Sequence, residues 1–365
     1  MSAALDESVL DDEARLAAAD RTGLLRSVAT AGAQVRESMA LSAEADVPGV
    51  LSGVRPRAVL IAADPAADDV AVVLAGLADR PDAGAPAVRQ DGPELPVWAG
   101  AADALLAATT TATATAAPAL VEAAARRGVS VLGAGPADSL LHEACGRNRS
   151  GYVALPGGRH PRANLWSLLV PMLLAAGELG LMPEPGLDLR AAADVLDSVA
   201  ERCRPGSDTY VNPAKSLALD LAESVPAVVG STPAGGAAAY RLVGSLAAVG
   251  RPAAVGMLPV ARERLAGLLT APTGAGADDD LFRDRVDDPS PARPRLVLIR
   301  AGDEPDVARA QVDELVSDCG RRGVPVTELM AEDAAGPVGR LASVLALLDF
   351  TAAYLGIAGA DGEGG

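Results

Sequence analysis

The chemistry open to this 365-residue chain is limited first by a shortage of reactive side chains. There are two histidines, His142 and His160, three cysteines, Cys145, Cys203 and Cys319, and a single lysine, Lys215. Two histidines without a local partner motif do not anchor a Ser–His–Asp or Cys–His arrangement. Three widely spaced cysteines make neither a metal motif nor a disulfide framework. The one concentrated basic cluster is Arg159, His160 and Arg162, in Gly158-Arg159-His160-Pro161-Arg162, just ahead of an apolar helix. Such a cluster either holds an anionic substrate or answers neighbouring carboxylates, and the sequence leaves both open.

A second candidate is the hydroxyl-rich run Thr109-Thr110-Thr111-Ala112-Thr113-Ala114-Thr115. Between a strand and a helix, its hydroxyls and backbone N–H groups can meet a phosphate, or simply cap the helix. The run Ala63-Asp64-Pro65-Ala66-Ala67-Asp68-Asp69 has three carboxylates and no glycine, so it repels phosphate; Asp68 or Asp69 is expected to cap a helix there. Lys215, near a helix start, is expected to be solvated, and His142, beside Leu140 and Leu141, to be structural. Neither Gly157-Gly158 nor Gly235-Gly236 makes a dinucleotide fingerprint, and the chain holds no G-x-x-x-x-G-K-[ST] loop.

Composition narrows the classes further. Half of the residues are hydrophobic but only 2% are aromatic, so the core must be built from Ala, Leu and Val. A stacking platform for single-stranded nucleic acid would need more aromatics. The net charge of −17 repels phosphate backbones and anionic lipids, and serves solubility. No nucleic-acid, membrane or cofactor partner is expected. The acidic start, Met1 to Arg15, lacks the basic-then-apolar order of a signal peptide, and the apolar stretch Leu165 to Gly177 is too short for a span and reads as a buried helix. A cytoplasmic protein is expected.

Short apolar runs alternate with helical patterns and turn signals. Strands are predicted over 58–62, 104–108, 129–132 and 152–155, then over 225–230, 253–257, 295–300 and 324–329. Helices are predicted over 11–45, 68–77, 118–127 and 137–145, over 162–181 and 188–204, and then over 212–223, 234–249, 259–269, 304–322 and 338–357. Alternation of this kind argues a doubly wound parallel α/β sheet. Similar order in the two halves suggests an internal duplication. The expected organisation is an N-terminal domain over 1–156, a helical connector over 157–210, a C-terminal domain over 211–357 and a disordered tail over 358–365, with a polar loop at 274–294.

Several segments occur together in a telling order: Arg55-Pro56-Arg57-Ala58-Val59, Pro161-Arg162-Ala163-Asn164-Leu165-Trp166-Ser167-Leu168-Leu169-Val170-Pro171, Val211-Asn212-Pro213-Ala214-Lys215, Val225-Pro226-Ala227-Val228-Val229-Gly230-Ser231, Ala237 to Arg241, and Asp349-Phe350-Thr351-Ala352-Ala353-Tyr354-Leu355. Over nearly the whole chain this resembles the bifunctional phosphoglucose/phosphomannose isomerase family, in a divergent actinobacterial branch. The resemblance implies two sugar-isomerase (SIS) domains, each a parallel sheet flanked by helices in a flavodoxin-like three-layer sandwich. It also implies a homodimer.

In that family two loops, one Gly-rich and one Ser-rich, bind the sugar phosphate. A Glu moves a proton between C1 and C2, a His helps open the ring, an Arg steadies the enediolate, and a late Lys completes the site. Carried over by resemblance, Arg162 takes the place of the catalytic Arg. Thr109 and Thr111 fall at the two loop Ser positions, with Ala112 at the loop Gly. Asp64 to Asp69 replaces the first loop, Ala248 stands at the Glu, Arg262 at the His, and the late Lys has no counterpart. Thr109, Thr111, Thr113 and His160 are therefore the candidate substrate-binding residues. The expected function is phosphosugar binding with weak or no aldose–ketose isomerase activity. The alternative is a non-catalytic structural or regulatory protein that binds a partner.

Overall fold

The computed structural model describes residues 7–183, 188–258, 261–269, 293–332 and 336–360. The chain divides into two compact units, one of residues 22–200 and 333–346, the other of 1–21, 201–332 and 347–365.

The first unit opens with helices α3 (Leu24–Val28), α4 (Ala31–Glu44) and α5 (Val47–Leu51), after α1 (Glu7–Leu10) and α2 (Glu13–Ala19) of the other unit. The single helix expected over 11–45 is thus broken: Gly23 adopts a left-handed φ of +67°, which starts α3 afresh. Next come β1 (Val59–Ala63), α6 (Asp68–Ala78), β2 (Ala87–Gln90), β3 (Ala104–Ala108), α7 (Ala116–Arg126), β4 (Ser130–Pro136), α8 (Leu140–Asn148) and β5 (Gly151–Leu155). A 3-10 turn (Pro161–Ala163), α9 (Leu165–Glu178) and α10 (Leu189–Arg202) follow. All five strands run parallel in the order β2-β1-β3-β4-β5.

Burial on both faces explains the continuous apolar runs of these strands, since parallel sheets are covered by helices on each side. Leu60, Ala62, Leu105 and Ala107 point to one face and pack with Leu120, Val121 and Ala124 of α7 and Leu141 and Ala144 of α8. On the other face α9, buried along most of its length, packs with α4, α5 and α6. The segment 157–210, expected as a connector, therefore contributes α9 to the body of this unit; its apolar residues are the second covering layer of the sheet. The edge strand β2 escapes sequence reading because it is short, half-exposed and contains Arg89 and Gln90.

The second unit contains α11 (Pro213–Ala222), β6 (Ser224–Gly230), α12 (Pro233–Ala248), β7 (Ala254–Met257), α13 (Ala261–Leu269), β8 (Arg293–Arg300), α14 (Asp306–Arg322) and β9 (Val326–Met330). Its four strands are parallel in the order β7-β6-β8-β9. Ala227, Val229, Leu296 and Leu298 pack with Leu265 of α13 and Val312, Leu315 and Cys319 of α14. Gly230 is required at the end of β6: a Cβ there would stand 2.0 Å from the backbone N of Gly236, so α12 approaches the strand closely only because residue 230 is glycine.

The last helix, α15 (Gly336–Ala360), is long and apolar enough to span a membrane by length and composition, but 83% of its apolar window is buried within the fold. It includes the start of the expected tail, and residues 361–365 lie outside the described residues. The same holds for residues 274–292 of the expected polar loop; β8 begins at Arg293. Within the second unit, Arg241 of α12 makes a two-pronged ion pair with Asp349 of α15, Nε to Oδ1 at 2.8 Å and Nη2 to Oδ2 at 3.0 Å, with Arg241 buried and Asp349 nearly so.

Candidate functional site

In a parallel α/β sheet, ligands bind beyond the carboxyl ends of the strands, at the point where the strand order reverses. In the first unit this point lies between β1 and β3. The residues that follow the two strands are Asp64 and Thr109, and the register Ala63↔Ala108 sets them opposite each other. Both are buried.

Asp64 gathers donors from both loops. Its Oδ1 accepts the N–H groups of Ala66 and Ala67, each at 2.9 Å. Its Oδ2 accepts the Thr110 N–H at 2.9 Å and the Thr109 hydroxyl at 2.5 Å, with the Thr111 hydroxyl at 3.4 Å. Asp64 thus closes the turn ahead of α6, whose N-cap, Ala67, makes no side-chain cap hydrogen bond. This corrects the expectation for Asp68 and Asp69, which lie inside the first turn, where their charge suits the helix dipole. Asp68 also pairs with Arg89 at 3.5 Å.

The candidate residues are placed as follows. Thr109 is buried, its hydroxyl engaged with Asp64. Thr111 and Thr113 are exposed on the same loop, ahead of α7. His160 precedes the 3-10 turn, and its Nδ1 accepts the Arg162 N–H at 3.2 Å. Arg162 follows in that turn; its side chain reaches solvent, yet crowding around the guanidinium lowers its pKa from the ordinary arginine value. Arg159 is ion-paired to Glu37 of α4, so this member of the basic cluster answers a carboxylate. The threonine loop follows β3 and the Arg162 turn follows β5, so both chain segments leave the carboxyl edge of one sheet, from strands two positions apart.

His142 is structural: its ring stacks on Tyr152 at 4.6 Å between centroids, and Nδ1 meets the Ala137 carbonyl. Tyr152 bridges Ser139 and the Pro136 carbonyl at 2.9 Å each, and burial raises its pKa. Sequence reading did not find Asp64 or Tyr152 as organising residues. The available signal for Asp64 was its place directly after an apolar strand, opposite Thr109.

At the positions aligned with the family's proton chemistry, Ala248 ends α12 and carries no titratable group. Arg262 of α13 pairs with Asp318 of α14 at 2.5 Å and with Glu314 at 3.4 Å. Lys215 is fully buried, contrary to the expectation of a solvated side chain. Its Nζ donates to the carbonyls of Pro205 and Ser207, each at 2.7 Å, and lies 5.6 Å from the centre of the Tyr354 ring. The buried apolar body of α11 draws it inward, and those carbonyls meet its charge. Burial lowers its pKa against the pull of Asp11, Asp208 and Glu13.

The second sheet reverses its order between β6 and β8. Beyond these strands, Ser231 hydrogen-bonds the carboxylate of Glu304, which also accepts from Arg300 Nε at 2.8 Å. Burial disfavours the charged form of Glu304, but the hydrogen bonds from Arg300 and Ser231 outweigh it and hold the carboxyl below its usual range.

Residues 210–361 match the family model of the bacterial phospho-glucose isomerase C-terminal SIS domain. No curated protein matches the chain. Among solved structures, the chain resembles tagatose-6-phosphate ketose/aldose isomerase from Escherichia coli, with a TM-score of 0.63 and 13% identity over 91% of this chain and 92% of that one. It also resembles a glucose-6-phosphate isomerase like protein from Thermus thermophilus, with a TM-score of 0.53 and 17% identity over 95% and 92%. A third is the C-terminal domain of glucosamine-fructose-6-phosphate aminotransferase from Francisella tularensis, with a TM-score of 0.57 and 9% identity over 92% and 96%. At these identities the likeness establishes the fold: two SIS-like α/β units, each a parallel sheet flanked by helices.

Proposed function

We propose that this chain is a divergent member of the bifunctional phosphoglucose/phosphomannose isomerase family that binds a phosphosugar with weak or no aldose–ketose isomerase activity. The observation that carries the reading is the state of the positions where proton transfer would occur. Ala248 has no proton to move, Arg262 is held by Asp318, and no residue stands for the late Lys. Loss of a positioned general base costs roughly 10²–10⁴-fold in rate. Two other carboxylates are placed as follows. Glu178, at the far end of α9, stands about 20 Å along the helix from its start beside Arg162. Glu143 is exposed and pairs with Arg147 at 3.5 Å.

Binding is assigned to Arg162 with Thr111, Thr113 and His160 at the carboxyl edge of the first sheet. Arg162 supplies a permanent cation, and the threonines supply hydroxyl donors. Thr109, the remaining threonine candidate on this loop, has its hydroxyl engaged by Asp64. A cytoplasmic homodimer belongs to the same reading. The test is thermal unfolding with fructose 6-phosphate. Ligand at about 100 times its dissociation constant adds roughly 2.7 kcal/mol and raises Tm. The shift should vanish in Arg162→Ala; an equal shift in the variant removes Arg162 from the site.

A second reading, a non-catalytic scaffold or regulatory protein that binds a partner, is favoured by the donors already engaged on Asp64. It predicts no shift with any phosphosugar.

A further inference from the structure

We infer that the Asp64 carboxylate is a built-in occupant of the anion seat in the first unit, so that an external phosphate must displace it to bind there. The inference rests on the reading of this edge as the phosphosugar site. Three backbone N–H groups and the Thr109 hydroxyl converge on one buried carboxylate from the loops after β1 and β3. Those strands flank the reversal of strand order, where an α/β sheet offers its ligand crevice. Among the described residues no cation pairs with Asp64, so N–H and O–H donors meet its charge, as they would meet that of a phosphate oxygen.

The second unit differs, because its buried carboxylate, Glu304, is ion-paired with Arg300. There Ser231, beyond β6, binds the buried carboxylate of Glu304, beyond β8, across the equivalent reversal. A local turn explains the Ala66 and Ala67 contacts of Asp64. It does not explain why the other oxygen reaches across to Thr109 and Thr110.

The consequence is weak phosphate affinity in the native protein, relieved when the internal carboxylate is removed. Titrating purified native protein and Asp64→Ala with inorganic phosphate, and then with fructose 6-phosphate, tests this. Asp64→Ala should take inorganic phosphate about tenfold more tightly than the native protein, or better, because hydrogen bonds to a charged acceptor are regained. Equal or weaker affinity in the folded variant overturns the inference. If Asp64→Ala fails to fold, Asp64→Asn serves, because its amide NH2 faces N–H donors and loosens the internal contact; affinity no higher than native again overturns it. A gain for inorganic phosphate with no preference for fructose 6-phosphate supports the occupant and removes the phosphosugar reading. Native binding of fructose 6-phosphate with no gain in Asp64→Ala does the reverse.

Discussion

Thr109 and Asp64 face each other one residue beyond the paired ends of β3 and β1, and the Thr109 hydroxyl donates to the Asp64 carboxylate. That bond ties together the two loops at the switch point of the first sheet. Thr109→Val keeps the shape and removes the donor, leaving a buried carboxylate one bond short. It should destabilise the protein by about 1–3 kcal/mol. Thr111→Val and Thr113→Val, on exposed positions of the same loop, should stay within about 0.5 kcal/mol. Denaturant unfolding of the three variants checks the contrast.

Much of the fold was legible, and the reason is the periodicity of apolar residues. The runs Val59–Ala63 and Ala104–Ala108 are buried along their length, so they read directly as parallel strands. The polar edge strand Ala87–Gln90 gave no such signal. The site was legible only in part. Loop composition marked the threonines and Arg162, because hydroxyls and cations are recognisable by type. What each side chain touches depends on register across strands and on tertiary packing. Asp64 read as a source of repulsion, whereas it is the acceptor at the centre. Lys215 read as solvated because its helix start looks ordinary; carbonyls eight and ten residues earlier make burial possible.

Lys215→Met should therefore act on stability. It leaves the Pro205 and Ser207 carbonyls without their donor, at a cost of about 1–3 kcal/mol. Lys215→Arg should not rescue it, since a planar guanidinium does not reproduce the compact ammonium beneath Tyr354. Chemical denaturation of both variants gives the comparison.

The largely buried Arg241–Asp349 pair joins two of the segments that carry the family resemblance. Arg241→Met strands the Asp349 charge in the interior and should cost about 3–5 kcal/mol. Adding Asp349→Leu to it should recover part of that loss. A double-mutant cycle measures the coupling.

The buried thiols set an alkaline limit. Burial pushes Cys145 up to about 12 and Cys203 up to about 11, both above the usual thiol value of 9.0. Above pH 9 the unfolded chain loses thiol protons that the folded protein keeps, so stability falls as pH rises toward these values. Each thiol contributes up to about 1.4 kcal/mol per pH unit. Cys145→Ala should flatten the decline relative to the native protein when Tm is followed from pH 8 to pH 11.

The proposed function holds that this chain has an SIS-like fold without effective proton transfer between C1 and C2 of a phosphosugar. The most direct measurement is solvent exchange at those carbons: glucose 6-phosphate or fructose 6-phosphate incubated with the protein in D2O and followed by proton NMR. The account predicts deuterium incorporation at or near the protein-free rate, whether or not the sugar shifts Tm. Incorporation at C1 or C2 at the rate of an efficient isomerase would contradict it.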